Sequence, residues 1–451
     1  MNYQEVIFSL KSVLVTRDRD TFATIEKHAH PADVAAVVSE LSVEHQRLLL
    51  GLASPPTRAT IFGYLPSELQ LEIAEQFDRR QMAELFFHMS ADERADLYNR
   101  LPEERREAFM PALAQVERED IRRLAAYPEK TVGAVMTSDY ATLHPELTAR
   151  EAIDELRRIA PDAETIYQAY AINPDRRLVG TVSLRELILA APGTRVSELM
   201  QTNPVFARAD APREEAARLI AKYDLLALPV VNGGDRLVGI VTVDDAMDVE
   251  QAETDIDFRK VGAVSELGKG LKEASVALLY RKRVFWLVLL VFGNLFSGAG
   301  IAYFEDTIAA YIALVFFLPL LVDSGGNAGS QSATLMVRAL ATGDVVLKDW
   351  ASMLLRELIV AGLLGATMAL AVSGLGIWRG GPEIALVVAL SMQIVVIVGS
   401  VIGMSLPFLL SRMKFDPATA SAPLITSIAD GAGVLIYFAI ATTVLGLPAG
   451  D

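Results

Sequence analysis

From Val284 onward the chain consists mostly of long apolar runs separated by Gly, Ser and Thr, at roughly 284–304, 308–341, 352–378, 384–410 and 421–446. An apolar helix of about 20 residues crosses the hydrocarbon of a bilayer. No water is available there to satisfy backbone amides, so such runs fold as helices whose hydrogen bonds close within the segment. Residues 284–451 are therefore expected to form a polytopic α-helical membrane domain with five transmembrane helices. Up to about Lys282, charged and apolar residues are mixed as in soluble proteins, over a length that exceeds one typical domain.

Polar residues inside the apolar runs carry the first functional information. Asp430 lies some three turns inside Ser421–Gly446, where an acid costs roughly 2.5–3.5 kcal/mol on insertion scales and usually faces a cavity, a partner or an ion. The second run contains PLLVDSGGNAGSQSATLMVRALATGD, with Asp323, Asn327, Ser330, Gln331 and Thr334 at membrane depth and paired glycines at 325 and 326. Interhelical hydrogen bonding accounts for isolated amides such as Asn294 and Gln393, but poorly for this concentration. Basic residues give the orientation: Arg281, Lys282, Arg283, Arg338, Lys348, Arg412 and Lys414 fall on one side, and only Arg379 falls on the other. By the positive-inside rule the soluble half is cytosolic and the carboxyl terminus lies outside.

Composition narrows the chemistry. There are no cysteines and only 5 histidines, so any bound metal is expected to be a hard cation on oxygen ligands. A net charge of −15 fits attraction of cations and disfavours nucleic acid as a partner. MNYQEVIFSL lacks the pattern of a signal peptide, in keeping with a cytosolic soluble half. No nucleophile-base set or phosphate loop stands out, so enzymatic chemistry is not expected.

Residues 1–128 are rich in helix formers punctuated by Pro31, Pro66, Pro102 and Pro111. VVSELSVEHQRLLLGL resembles FFHMSADERADLYNRL, and YLPSEL resembles RLPEER, which predicts an all-α superhelix of repeated helix-turn-helix units. SADERADL places Asp92 and Asp96 four apart on one helix face, either as a solvated acidic face or as a cation site. Two copies of one pattern follow, at 129–195 and 196–257, matching at Arg177-Leu178-Val179-Gly180 and Arg236-Leu237-Val238-Gly239. An acidic run comes next (Asp244, Asp245, Asp248, Glu250, Glu253, Asp255, Asp257), then a basic amphipathic stretch, 258–283, that leads to the membrane.

The duplicated pattern, with its LVGTVS and LVGIVT strands, resembles a tandem pair of α/β CBS domains, which bind adenine nucleotides or ions. That resemblance implies a ribose site at Thr242 and Asp245, hence ATP as a ligand; the first copy has Ser183 and Glu186 instead. PLLVDSGGNAGSQSATLMVRALATGD together with DPATASAPLITSIADGAGVLIYF resembles the paired membrane signatures of the MgtE family of magnesium channels, and the order of parts matches as well. The family resemblance implies a homodimer in the inner membrane, with one pore lined by the second and fifth spans of both subunits. Its expected ion-binding groups are Asp430, Asp323, Asn327, Gln331 and Thr426, with backbone carbonyls near Ala420, Pro423 and Thr426. It further implies that intracellular Mg²⁺ on Asp92, Asp96 and Asp248 closes the pore; the acidic run with Asp245, Glu253, Asp255 and Asp257, whose spacing differs from the family's, either adds ligands or pairs with nearby Lys and Arg. Ala422 and Asp323 depart from the family pattern. Three other readings stand beside it: a Co²⁺ or Mn²⁺ transporter, an ion-coupled secondary transporter, and a membrane-anchored nucleotide sensor.

Overall fold

The short helices of the first 125 residues follow from their punctuation. In the computed structural model, which describes residues 1–261, 275–419 and 422–446, ten α-helices run from Tyr3 to Ala125. Capping boxes start the helices Tyr3–Thr16 (Asn2 with Glu5) and Arg79–His88 (Asp78 with Gln81). Pro31 is the first residue of Pro31–Ser39, Pro66 and Pro102 precede Ser67–Gln76 and Glu103–Phe109, and Pro111 sits in a 3₁₀ turn. The repeated segments share a form: Val43–Leu52 and Ala91–Arg100 each follow a serine in extended backbone. Val6, Leu10, Phe22, Phe62, Phe86 and Phe109 are buried in one continuous core.

The duplicated region forms two sheets. In the first, strands β1 (Tyr140–Leu143), β2 (Thr165–Ile172), β3 (Leu178–Ser183) and β4 (Gln201–Thr202) lie in sequence order; in the second, β5 (Ala207–Arg208), β6 (Ala227–Val231) and β7 (Leu237–Thr242) do. Within each, the first pair is parallel and the second antiparallel. The two copies exchange their opening segments. β4 opens the second copy and pairs with β3 of the first, while Thr137 opens the first copy and bridges Ile240 of the second.

This exchange explains the repeated glycine of the pattern. A Cβ on Gly239 would lie 2.6 Å from Met136 Sδ, and one on Gly180 would lie 2.8 Å from Met200 Sδ. Each copy's methionine thus rests on the other's glycine, and a Cβ on Gly239 would also lie 2.8 Å from the backbone carbonyl oxygen of Thr137.

The chain divides into two compact units, 1–252 and 253–451. In the second, helices Val276–Gly293, Leu295–Tyr303 and Glu305–Ala310 precede Ala313–Thr342. Trp350–Arg412 is two rods joined at Gly381, whose φ of 81° is open to glycine, with Pro382 immediately after. Ala422–Leu445 is the last helix. Among the described residues, three helical segments are both long and apolar enough to cross a membrane: Val276–Tyr303, Leu347–Arg412 with its bend, and Ala422–Leu445. Ala313–Thr342 has the length, at 30 residues, but its apolar runs are broken by the polar residues picked out above. Its Gly325 and Gly329 lie against Gly399 and Gly403, and a Cβ on either of the latter would collide with the facing carbonyl oxygen. This four-glycine seam allows backbone contact of a kind common between membrane helices.

Gly239→Ala is expected to destabilise the soluble half by about 1–3 kcal/mol through overpacking against Met136, read as a lower thermal midpoint of the first unfolding transition. An unchanged midpoint would show that the methionine can move aside freely.

Candidate functional site

Two acidic centres emerge, one in each unit. In the second unit, Asp323, Asn327, Gln331 and Thr334 recur at helical spacing along Ala313–Thr342, and all four are exposed on the single chain. Asn327 Nδ2 donates to Asp323 Oδ2 at 2.9 Å, which fixes both side chains. Beside this stripe, Ser330 reaches Thr426 Oγ1 at 3.2 Å and the Ala422 carbonyl at 3.3 Å. Gly326 makes the approach possible, since a Cβ there would lie 2.9 Å from Thr426 Cγ2 and 3.3 Å from Asp430 Oδ1. Asp430 Oδ1 is buried without a hydrogen-bond partner. An acceptor of that kind is costly unless something outside the single chain meets it.

Pro423 occupies the first turn of Ala422–Leu445, whereas Ala420 lies outside the described residues. The structure thus brings Asp323, Asn327, Thr426 and Asp430 to one region, with Gln331 a turn further along the same helix face.

The second centre lies within the first unit. Asp92 and Glu93, in the first turn of Ala91–Arg100, approach Asp139 and Glu164 from the first CBS copy and Asp244 and Asp245 from the second. Burial pushes the Asp245 carboxyl up to about 8, with repulsion from Asp92, Asp244 and Glu164 adding to it. Burial likewise takes Glu93 and Glu164 up to about 7, with repulsion from Asp92 adding to it in each case. Asp92 is raised for the same first reason, with Asp139 and Asp244 as neighbours. Among the described residues no three carboxylates converge as a set able to hold a bare cation. Outer-shell contacts through bound water, or a small closure, are what this arrangement suits.

One cation is built in. Arg94, whose side chain is only 11 % exposed, reaches Asp139 at 3.5 Å and Asp120 at 3.9 Å. Asp120 also receives Ser138 Oγ at 2.8 Å and Arg123 at 2.5 Å. The Ala91–Arg100 helix is therefore tied to the first CBS copy on one side and left with surplus negative charge on the other.

The remaining predicted acids stand apart from this cluster. Asp96 is exposed and pairs with Arg100 at 2.7 Å, so one helix face does not carry both aspartates into the centre. Asp248 is exposed, with burial and Asp244 raising its carboxyl somewhat. Thr242 Oγ1 donates to Asp245 Oδ2 at 2.5 Å, so the pair expected to hold a ribose is engaged with itself and faces acids. In the second unit Asp255 is exposed, and Asp257 and Glu253 neighbour Lys260. Lys260 Nζ lies 2.5 Å from Asp416 and 3.6 Å from Asp257. Residues 262–274, half of the 258–283 stretch, lie outside the described residues. Glu93, Arg94, Asp139 and Glu164 escaped sequence reasoning because each is ordinary in its own segment, and only tertiary packing gathers them.

Comparison with known proteins places these centres in context. Residues 318–440 match the MgtE family, described as a divalent cation transporter; residues 29–130 match the MgtE intracellular N domain, and 132–193 and 196–251 match CBS domains. The chain is 38 % identical over 445 residues to the magnesium transporter MgtE of Thermus thermophilus, covering 98 % of this chain and 99 % of that one. It is 34 % identical to the magnesium transporter MgtE of Bacillus subtilis, covering 98 % of each. Among solved structures, the cytosolic domain of the Mg²⁺ channel MgtE in complex with ATP superimposes with a TM-score of 0.52 at 37 % identity, over 54 % of this chain and 99 % of that one. The soluble part of a magnesium transporter gives 0.53 at 28 %, over 56 % and 99 %.

The raised carboxyls set a pH dependence whose sign is fixed. Unfolded Asp and Glu titrate near about 4, and the folded values of about 7 to 8 at Glu93, Glu164 and Asp245 lie above that. Their protonation therefore favours the folded cluster below about pH 4, and that contribution is lost as pH rises towards about 8. In chelator, the thermal midpoint of the full chain's soluble half should fall from pH 6 to pH 8.5, and a divalent cation should restore it mainly at the higher pH. A midpoint that rises with pH in chelator would contradict the reading.

Proposed function

Because the chain belongs to the MgtE family of divalent cation transporters, we propose that it carries Mg²⁺ across the inner membrane as a homodimer, through a pore lined by Ala313–Thr342 and Ala422–Leu445. The observation that carries this reading is the exposed stripe of Asp323, Asn327 and Gln331 beside the unpartnered Asp430 Oδ1. In a bilayer such a stripe would be intolerable against lipid, and a second copy facing the first would enclose it in water. The positive-inside distribution supports a cytosolic soluble half and an outer carboxyl terminus.

Mg²⁺ prefers octahedral oxygen coordination at about 2.0–2.1 Å and sheds water reluctantly. Paired Asp430 carboxylates and the Asn327 and Gln331 amides can accept hydrogen bonds from its bound water and leave the hydration shell whole. Thr426 and the carbonyls near Pro423 and Ala420 add further acceptors. Conduction also needs release, which shared, outer-shell contacts permit. Asp323 favours a second reading, because an additional carboxylate could enter the coordination shell of Mn²⁺ or Co²⁺.

Gating follows from the soluble acids. Without divalent cations Asp92, Glu93, Glu164, Asp244 and Asp245 repel one another; bridging Mg²⁺ binds the docked arrangement better than the separated one and shifts the population towards it. Asp248, whose carboxyl neighbours Asp244, would be a weaker ligand at the edge, while Asp96 stays with Arg100. The helix Val243–Val261, which carries Asp245 in its first turn, carries Lys260 near its end on Asp416, just before the last helix. A relative's cytosolic domain was solved with ATP, and we extend nucleotide binding to this CBS pair. Surplus negative charge around Thr242 and Asp245 argues against placing the phosphates there.

In cells that require added magnesium, Asp430→Ala is expected to reduce Mg²⁺ uptake by roughly tenfold or more, the scale of losing a charged partner, and Asp430→Asn by less. Full uptake by Asp430→Ala would remove the pore assignment. If Asp323→Ala alters Mn²⁺ or Co²⁺ uptake more than Mg²⁺ uptake, the second reading gains.

A further inference from the structure

A cavity of about 400 Å³ lies between the helix Gln115–Ala125 and the first CBS sheet, lined by Arg123, Ser138, Tyr140, Thr142, Ile172 and Arg176. Two guanidinium groups and three hydroxyls face it, and none of the lining residues is acidic. In a chain with 56 acidic and 41 basic residues, that local excess of positive charge needs an explanation.

Arg176 supplies the strongest part of it. It occupies the left-handed region, with φ of 62°, in the turn between β2 and β3. The sister turn between β6 and β7 has the same design. Asn173 Oδ1 accepts from the amides of Asp175 and Arg177, and Asn232 Oδ1 accepts from those of Gly234 and Arg236. There the matching left-handed position, with φ of 59°, is Asp235. Aspartate tolerates this backbone better than arginine does, so the fold alone does not call for a guanidinium at 176. Arg176 Nη2 donates to Tyr140 Oη at 3.1 Å, and Tyr140 Oη in turn donates to the Leu237 carbonyl at 3.2 Å. The guanidinium is aimed, yet among the described residues no ion pair is seen for it. Arg123 has Asp120, but that carboxylate also serves Ser138 and Arg94.

Two guanidinium forks, with the Thr142 hydroxyl lining the same cavity, match a tetrahedral oxyanion, and the size suits a small molecule. We propose that this cavity binds a phosphate group, either free phosphate or the phosphate of a nucleotide, with Arg176 and Arg123 as its principal donors. The Thr242–Asp245 pair does not line it. Because Arg123 comes from the helical domain and the other five residues from the CBS copy, an occupying phosphate ties the two together. This second consequence rests on the gating reading above; the binding does not.

The test is calorimetric titration of the full-length protein in detergent, without Mg²⁺, with inorganic phosphate, ATP and adenosine in turn. The variants are Arg176→Asp, which installs the residue of the sister turn and so suits the backbone, and Arg123→Gln. Phosphate should bind the wild type and bind Arg176→Asp at least roughly tenfold more weakly, the scale of a lost charge-assisted contact. Adenosine should not compete. Competition by ATP would identify a nucleotide as the source, and its absence would identify free phosphate. Undetectable binding of phosphate to the wild type up to roughly 10 mM, or equal binding to Arg176→Asp, overturns the proposal. Phosphate that binds but leaves protease protection unchanged at fixed, subsaturating Mg²⁺ keeps the site and removes only the link to gating.

Discussion

Carboxylates packed against carboxylates, with too few cations of their own, are the interaction on which the rest of this molecule depends. Around Asp92 the fold gathers five further acids from three domains and supplies one buried arginine, Arg94. Burial makes the charges on Asp92, Glu93, Asp139, Glu164 and Asp245 harder to bear, and the acidic neighbours make it harder still. An arrangement like this is stabilised when protons or metal ions neutralise it. The membrane centre has the same character on a smaller scale, with Asp430 turned to a place where the single chain offers its Oδ1 nothing.

The scaffold around the acids is rigid where they need it to be. The exchange of opening strands between the CBS copies, locked by Met136 on Gly239 and Met200 on Gly180, makes the pair one body. Asp139, Glu164, Asp244 and Asp245 form the acidic wall that Asp92 and Glu93 of the Ala91–Arg100 helix face. In the membrane domain the glycine seam at 325, 329, 399 and 403 does the corresponding work. It presses Ala313–Thr342 against the second rod of Trp350–Arg412 and leaves the polar stripe on the open face.

Much of this was legible in the sequence, for reasons that differ by element. Apolar runs and the duplicated LVG strands are local signals, and both produced the expected helices and sheets. Asp430 and the stripe from Asp323 to Gln331 were visible because polar groups in an apolar run are conspicuous. The soluble centre was only half visible. Asp92 and Asp245 could be picked from acidic runs, but Glu164 and Asp139 belong to no run, and Asp96 shares a face with Asp92 on paper while pairing with Arg100 in the fold. Charge density in three dimensions is set by which helices and loops meet, and no spacing rule within one segment encodes that.

The most direct measurement of the whole account is Mg²⁺ current in excised inside-out patches containing the wild type or Asp92→Asn, as Mg²⁺ on the cytosolic face is raised from micromolar to millimolar. The acids predict that wild-type current falls steeply over that range, and that the fall is shallower for Asp92→Asn, where one repelling charge has been removed. A wild-type current indifferent to cytosolic Mg²⁺ would contradict the claim that these carboxylates control the pore.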